Sequence, residues 1–232
     1  KETRDDRLFY NIDMVNRDRE LGLGWDVVGD IHGNFSALQR LLRLLGYRKE
    51  GGGWRAPHGR KLIFAGDLID RGSDVLQVLR TVRDLEQSGV AHVVMGNHEY
   101  NFICYNEKFD SDRAPEGGFG SDGWLRSHSE EHRLQHLESS TAFSQAPQEC
   151  QSHLKWLQKL PILADFGGLR VVHAAWLPPR VERLREMGWN RTIDGVQFTG
   201  VDLDFIHRSW GSWRHPQQSE EFILIENLIK GP

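Results

Sequence analysis

Trp25-Asp-Val-Val-Gly-Asp-Ile-His-Gly-Asn34 is a short apolar run that breaks into a polar turn flanked by glycines. Residues Trp25–Ile31 read as a buried strand. Asn34–Leu45 follows as an amphipathic helix, with Leu38, Leu41, Leu42 and Leu45 at helical spacing. The same plan returns twice. A strand over Lys61–Ala65 leads into Gly66-Asp67-Leu68-Ile69-Asp70-Arg71-Gly72, after which Ser73 opens a helix that presents Val75, Leu79 and Val82 and stops at Gly89. A third strand, Val90–Met95, leads into Gly96-Asn97-His98-Glu99. Strand, polar turn and helix in repeated alternation predict an α/β core whose strands deliver polar residues from their carboxyl ends.

Outward from this core the pattern changes. Residues 1–24 are dense in charge and read as a solvated arm; their Leu21-Gly-Leu-Gly24 precedes a strand instead of following one, so it is no dinucleotide-binding turn. Gly51-Gly52-Gly53 lacks the Gly-Lys-Ser/Thr ending of a P-loop and reads as a turn. Residues 106–150 carry glycines, charges and a helix at 128–138, and look like an insertion or cap. A helix over Leu154–Leu160 precedes two strands, Ile162–Phe166 and Leu169–Ala174, around Gly167-Gly168. Pro178-Pro179 starts a helix to about Met187, and Glu220–Lys230 forms a last helix before Gly231-Pro232. Residues 25–232 are thus expected to form one domain. The first residue is Lys1 and the end resembles an internal stretch, so a longer natural chain is expected.

The composition of the 232 residues, 38% hydrophobic and 27% charged, suits a soluble domain with a proper core. Apolar runs such as Leu62–Ala65 are too short to span a bilayer, and no secretory signal pattern opens the chain. Two cysteines outside any CxxC pattern point to a reduced, cytoplasmic protein. A net charge of −4 gives no general attraction to a nucleic-acid duplex or an anionic membrane. An anionic substrate would need local positive charge, which bound cations supply.

Asp30 and His32 stand two apart at the end of a predicted strand, so their side chains should leave on one face and could share a cation. Asp67 and Asn97 follow the next two strands and should reach the same rim. His173 lies in the apolar run Leu169-Arg-Val-Val-His-Ala-Ala, where a buried imidazole needs a partner such as a metal. Oxygen and nitrogen donors without thiolate suit manganese, iron, zinc or magnesium. Two cations sharing one carboxylate would sit roughly 3.5–4 Å apart.

Taken together, the three motifs resemble those of the calcineurin-like metallophosphoesterases, in particular the phosphoprotein phosphatase branch. That branch includes eukaryotic serine/threonine phosphatases, bacteriophage lambda phosphatase and bacterial diadenosine tetraphosphate hydrolases. The resemblance covers about residues 25–176. It implies a four-layer αββα sandwich of two mixed sheets flanked by helices, with two divalent ions, Mn²⁺ foremost, at the loop edge. One metal would be held by Asp30, His32 and Asp67; the second by Asp67, Asn97 and His173. His98 would be the general acid, oriented by Asp70, and Arg71 would bind phosphoryl oxygens. A hydroxide bridging the metals would attack phosphorus in line. Ala174 after His173 matches the bacterial version of that motif.

The chain departs from this pattern at the late histidine that usually completes the second metal. His207 and His215 are the only later histidines, and neither follows a glycine; the ligand is one of these or lies beyond Pro232. Other signals carry less. His128-Ser-Glu-Glu-His132 matches an inverted zinc-protease motif, but with His136 it reads as the exposed face of a cap helix. Trp210 and Trp213 read as packed, His92 as a core or interface histidine, and no spacing selects a second phosphate clamp among Arg113, Arg126 and Arg170. The leading expectation is hydrolysis of phosphate monoesters, as on phosphoproteins. The alternatives are a dinucleoside polyphosphate or other nucleotide hydrolase, and a non-catalytic phosphate-binding module.

Overall fold

The computed structural model describes residues 24–108, 123–193, 195–200, 202–211 and 219–232. Strands β1 (Trp25–Val28), β4 (Lys61–Phe64) and β5 (Ala91–Val93) form a parallel sheet in the order β1-β4-β5, with Val28 opposite Phe64 and Phe64 opposite Val93. Parallel neighbours need crossovers, and helices α1 (Phe35–Leu45) and α2 (Val75–Gln87) provide them. Between β1 and β4 lies a small antiparallel hairpin, β2 (Arg48–Glu50) and β3 (Gly53–Arg55), which turns at the expected glycines. The second sheet is antiparallel, in the order β7-β6-β9-β8, from β6 (Pro161–Asp165), β7 (Arg170–Val172), β8 (Asn190–Ile193) and β9 (Val196–Gly200).

The side-chain alternation of β4 builds the layers. Ile63 joins Val94, Ala164, Val171 and Phe198 in an apolar cluster between the sheets, while Leu62 and Phe64 face the larger core that holds Leu38, Leu42, Val78, Leu79 and Val82 of the helices. The Met95 N–H donates to the Pro161 carbonyl at 2.7 Å, tying one sheet to the other just before the third motif. The expected α/β architecture of two sheets flanked by helices is found. Among the described residues the parallel pairings lie in the β1-β4-β5 sheet and the antiparallel ones in the β7-β6-β9-β8 sheet and the β2–β3 hairpin, so neither large sheet shows the expected mixed pairing.

Element ends differ from the sequence expectation where the backbone has other partners. β1 stops at Val28 rather than Ile31, because the N–H groups of Ile31 and His32 both donate to the Asp67 carbonyl at 2.9 Å. Asn34 caps α1 by accepting the Ala37 N–H, and Gly46 closes it in the left-handed conformation. The third motif opens α3 (Asn97–Asn106). The helix expected at 128–138 is two, α4 (Glu130–Gln135) and α5 (Leu137–Gln145), broken at His136. Helix α6 (Pro147–Leu157) begins seven residues before the expected Leu154 start, with Pro147 in its first turn. Helices α7 (Pro178–Glu186), α8 (Leu203–Gly211) and α9 (Glu220–Ile229) complete the described α-helices.

Candidate active site

Because β1, β4 and β5 run in parallel, their carboxyl ends share one edge, and the three glycine-flanked turns meet there. Gly66 has φ +91°, and a Cβ on it would run into the backbone of Gly96, so the second and third turns approach as only glycine allows. Five non-glycine residues among those described have positive φ, and four of them are predicted site residues: His32 (+46°), Asp67 (+53°), Asp70 (+67°) and Arg71 (+64°). Each such conformation costs about 1–3 kcal/mol and must be held by its surroundings. Glu99 supplies much of the hold. Its buried carboxylate accepts the N–H groups of Leu68 (2.7 Å) and Ile69 (3.3 Å) on one oxygen and of Asp67 (2.8 Å) and Gly96 (2.9 Å) on the other. Burial, and then the Asp67 charge, push this carboxyl up to about 7 against those donors.

Around Asp67 the predicted ligands converge. His32 Nδ1 donates to the Ile69 carbonyl at 2.8 Å, which leaves a lone pair on Nε2 of the neutral ring. That Nε2 is buried without a hydrogen-bond partner, 3.5 Å from Asp30 Oδ2 and 3.6 Å from Asp67 Oδ2. His173 repeats the arrangement: Nδ1 donates to the Ala65 carbonyl at 2.7 Å, and Nε2 lies 3.1 Å from Asn97 Oδ1 and 3.5 Å from Asp67 Oδ2. With both Nδ1 atoms held by backbone carbonyls, the two Nε2 atoms are turned toward the same carboxylate, the orientation that histidine ligands of a cation take. Ligand atoms of Asp30, Asp67 and His173 lie within 4.8 Å of one another, as do those of His32, Asp67 and His98. Asp67 belongs to both groups.

Asp30 and His32 do come together, but not for the reason the sequence suggests. The strand ends at Val28, and His32 reaches Asp30 from a turn with positive φ rather than from the same face of a strand. The other expected residues are in place beside them. His98 Nδ1 donates to Asp70 Oδ2 at 2.7 Å, while Nε2 lies 3.4 Å from an Arg71 guanidinium nitrogen and 3.9 Å from Asp67 Oδ2. Burial alone would lower the His98 pKa, but the Asp70 hydrogen bond and the charges of Asp67, Asp70 and Glu99 outweigh it and raise the value. Burial would raise the Asp70 pKa, yet hydrogen bonds from His136 and His98 hold it below the usual carboxylate range.

His136 corrects the cap-helix reading. Placed with His128 and His132 on an exposed face, it is instead fully buried at the break between α4 and α5. Its Nδ1 donates to Asp70 Oδ2 at 2.8 Å, and Ser139 Oγ donates to Asp70 Oδ1 at 2.5 Å. The four-residue steps from His128 to His132 to His136 give no sign of which ring turns inward. His128 stacks on Tyr105 and Trp124, and His132 Nδ1 donates to the Ser127 carbonyl, so the zinc-protease pattern brings no ligands together. His207 pairs with Glu107 at 3.2 Å and is in neither ligand group. His92 packs among Trp25, Phe166 and Phe198, as expected of a core histidine. Arg126 bonds Asn101 and Gln135, and Arg170 bonds Asp165 beside Trp176. His215, Arg113, Trp213 and the Trp210 side chain lie outside the described residues.

A family model described as calcineurin-like phosphoesterase matches residues 26–208. The chain belongs to the calcineurin-like phosphoesterase family. Calcineurin-like phosphoesterases use divalent metal ions. Curated relatives include asymmetrical bis(5'-nucleosyl)-tetraphosphatases of Halalkalibacterium halodurans, 42% identical over 74 residues, and of Anoxybacillus flavithermus, 49% identical over 74 residues. Each of these matches covers 32% of this chain and 30% of the relative. A symmetrical bis(5'-nucleosyl)-tetraphosphatase of Dechloromonas aromatica is 28% identical over 187 residues, covering 80% of this chain and 55% of the relative. The chain therefore spans between 30% and 55% of the length of these relatives. No helix among its described residues is long and apolar enough to cross a membrane.

Proposed function

We propose that this chain is a metal-dependent phosphohydrolase acting on dinucleoside polyphosphates. The observation that carries the chemistry is the convergence of the His32 and His173 Nε2 atoms on the Asp67 carboxylate, at 3.6 and 3.5 Å, with the His32 atom buried and without a hydrogen-bond partner. The residues fit divalent cations: Asp30, His32 and Asp67 for one, and Asp67, Asn97 and His173 for the other. Oxygen and nitrogen donors favour Mn²⁺, with iron, zinc or magnesium as other occupants. When bound, such ions supply the positive charge that polarises a phosphoryl group and readies water for attack.

The chain's own residues do the rest. With Nδ1 committed to Asp70, His98 presents Nε2 as the end that gives a proton to the leaving oxygen. The Asp70 hydrogen bond and the nearby carboxylates favour the protonated ring against the cost of its burial. Arg71, whose guanidinium lies against the same Nε2, offers a planar fork to phosphoryl oxygens. A module that only bound phosphate would have no use for the Asp70–His98 pair.

On substrate, the sequence alone favours phosphate monoesters on proteins over nucleotides. The names of the curated relatives favour the second. Described residues of the 106–150 segment pack onto Asp70, so we read it as a cap at the phosphate edge of one domain over residues 25–232. Two buried thiols accord with a cytoplasmic setting. Side-by-side turnover of diadenosine tetraphosphate and a phosphoserine peptide with Mn²⁺ tests the reading. We expect the dinucleotide to be preferred at least tenfold in kcat/KM. Preference for the peptide would restore the monoester reading, and inertness toward both would reject hydrolysis.

A further inference from the structure

Asp70 is fully buried, and its carboxylate takes three side-chain donors. Two of them are imidazoles on the same oxygen: His98 Nδ1 at 2.7 Å and His136 Nδ1 at 2.8 Å from Oδ2. The third, Ser139 Oγ, donates to Oδ1 at 2.5 Å and in turn accepts the Asp70 main-chain N–H at 2.9 Å. A carboxylate can only accept, so Nδ1 of His136 must be the protonated nitrogen. The other ring nitrogen, Nε2, is buried and has no partner, and the ring contacts Phe102 and Tyr105 at centroid distances of 5.3 and 5.2 Å. The helical break at His136 turns this ring inward while α4 and α5 continue on either side.

We propose that His136 is a positioning residue for the general acid, fixing Asp70 Oδ2 so that His98 keeps one tautomer and one ring orientation. The proposal rests on the reading of His98 as the acid. Its geometric content is simple. Asp70 stands at φ +67°, and with Ser139 alone it would be anchored through Oδ1 and its N–H, leaving Oδ2 held by His98 only. With no second donor on Oδ2, the carboxylate can tilt about its Oδ1 anchor and carry the His98 ring with it. The second imidazole removes that freedom, and it does so from the segment that the sequence marks as an insertion.

The test compares leaving groups in the full chain loaded with Mn²⁺. His136→Phe removes the donor and keeps a ring of similar size. His136→Asn places an amide N–H close to where Nδ1 stood. Turnover is followed on an alkyl phosphate, whose leaving oxygen needs a proton, and on 2,4-dinitrophenyl phosphate, whose leaving oxygen does not. His136→Phe should lower kcat on the alkyl ester about tenfold, a part of what a general acid contributes, with kcat on the dinitrophenyl ester within about twofold and KM and metal content unchanged. His136→Asn should recover most of the loss. Equal losses on both esters, or an Asn variant no better than Phe, would overturn the proposal and leave His136 a packing residue. His98→Ala serves as the reference. If it shows the leaving-group dependence and His136→Phe does not, this proposal fails alone; if it shows none, the acid assignment fails and takes the proposal with it. Should the Phe variant not fold, Asn and Ser139→Ala carry the comparison, and the proposal falls if Asn loses as much turnover as His98→Ala.

Discussion

Replacing Glu99 with alanine should unfasten the second motif from the third. The carboxylate accepts four backbone N–H groups, from Asp67, Leu68, Ile69 and Gly96, at 2.7–3.3 Å. At about 1 kcal/mol net per hydrogen bond, their loss removes about 4 kcal/mol. The variant recovers part of this, because a carboxylate beside Asp67 in a dry site is itself costly; the carboxyl raised to about 7 reflects that cost. Taking the refund as about 1–2 kcal/mol leaves a net loss of about 2–3 kcal/mol. For a domain of this size each kcal/mol lowers the melting temperature by about 2–4 °C, so a fall of about 4–12 °C is expected. Glu99→Gln keeps one acceptor oxygen but turns an NH₂ toward two N–H groups, so it should fall between wild type and alanine. Thermal unfolding by circular dichroism at pH 7.5 measures both. Turnover should fall with stability, since Glu99 holds the N–H groups of Asp67, Leu68 and Ile69, the stretch that leads into Asp70 and Arg71. An alanine variant within about 0.5 kcal/mol of wild type would refute the idea that Glu99 organises the site.

Two further outcomes follow from local geometry. Gly66→Ala should cost about 3 kcal/mol or more, from a strained φ and a collision with Gly96, whereas Gly29→Ala, which meets nothing within 4 Å, should cost about 0.5 kcal/mol or less; urea unfolding of both variants checks the contrast. His92 has its pKa lowered by burial and then by Lys61, so the folded state takes up a proton less readily than the unfolded one. The stability linked to it is full above the unfolded value of 6.5 and is lost as pH falls below that value. His92→Phe should therefore narrow the gap in melting temperature between pH 7.5 and pH 5.5; an unchanged gap would contradict the assignment.

Much of the site was legible because its residues are consecutive. Asp30 with His32, Asp67 with Asp70 and Arg71, and Asn97 with His98 each sit in one turn, and three strand-turn-helix units in a row place those turns on one edge. His173 was legible for another reason: an imidazole at the end of an apolar run must be answered by something. What remained hidden depends on contacts distant in sequence. His136 meets Asp70 across 66 residues and Ser139 across 69, and a polar helix face looks the same whether it meets solvent or a buried carboxylate. The role of Glu99 as acceptor of backbone N–H groups follows from the fold of the Asp67–Arg71 turn, whose positive φ values no propensity announces. Strand β8 was missed because Asn190-Arg-Thr-Ile193 is exposed along its length and shows no apolar alternation.

The account turns on Asp67, the carboxylate common to both ligand groups. Elemental analysis after dialysis against Mn²⁺, with turnover measured on the same samples, addresses it directly for wild type and Asp67→Ala. The account predicts that wild type retains bound metal and hydrolyses diadenosine tetraphosphate, and that the variant loses both. A variant that keeps its full complement of metal, or a chelator-stripped wild type that turns over undiminished, would contradict it.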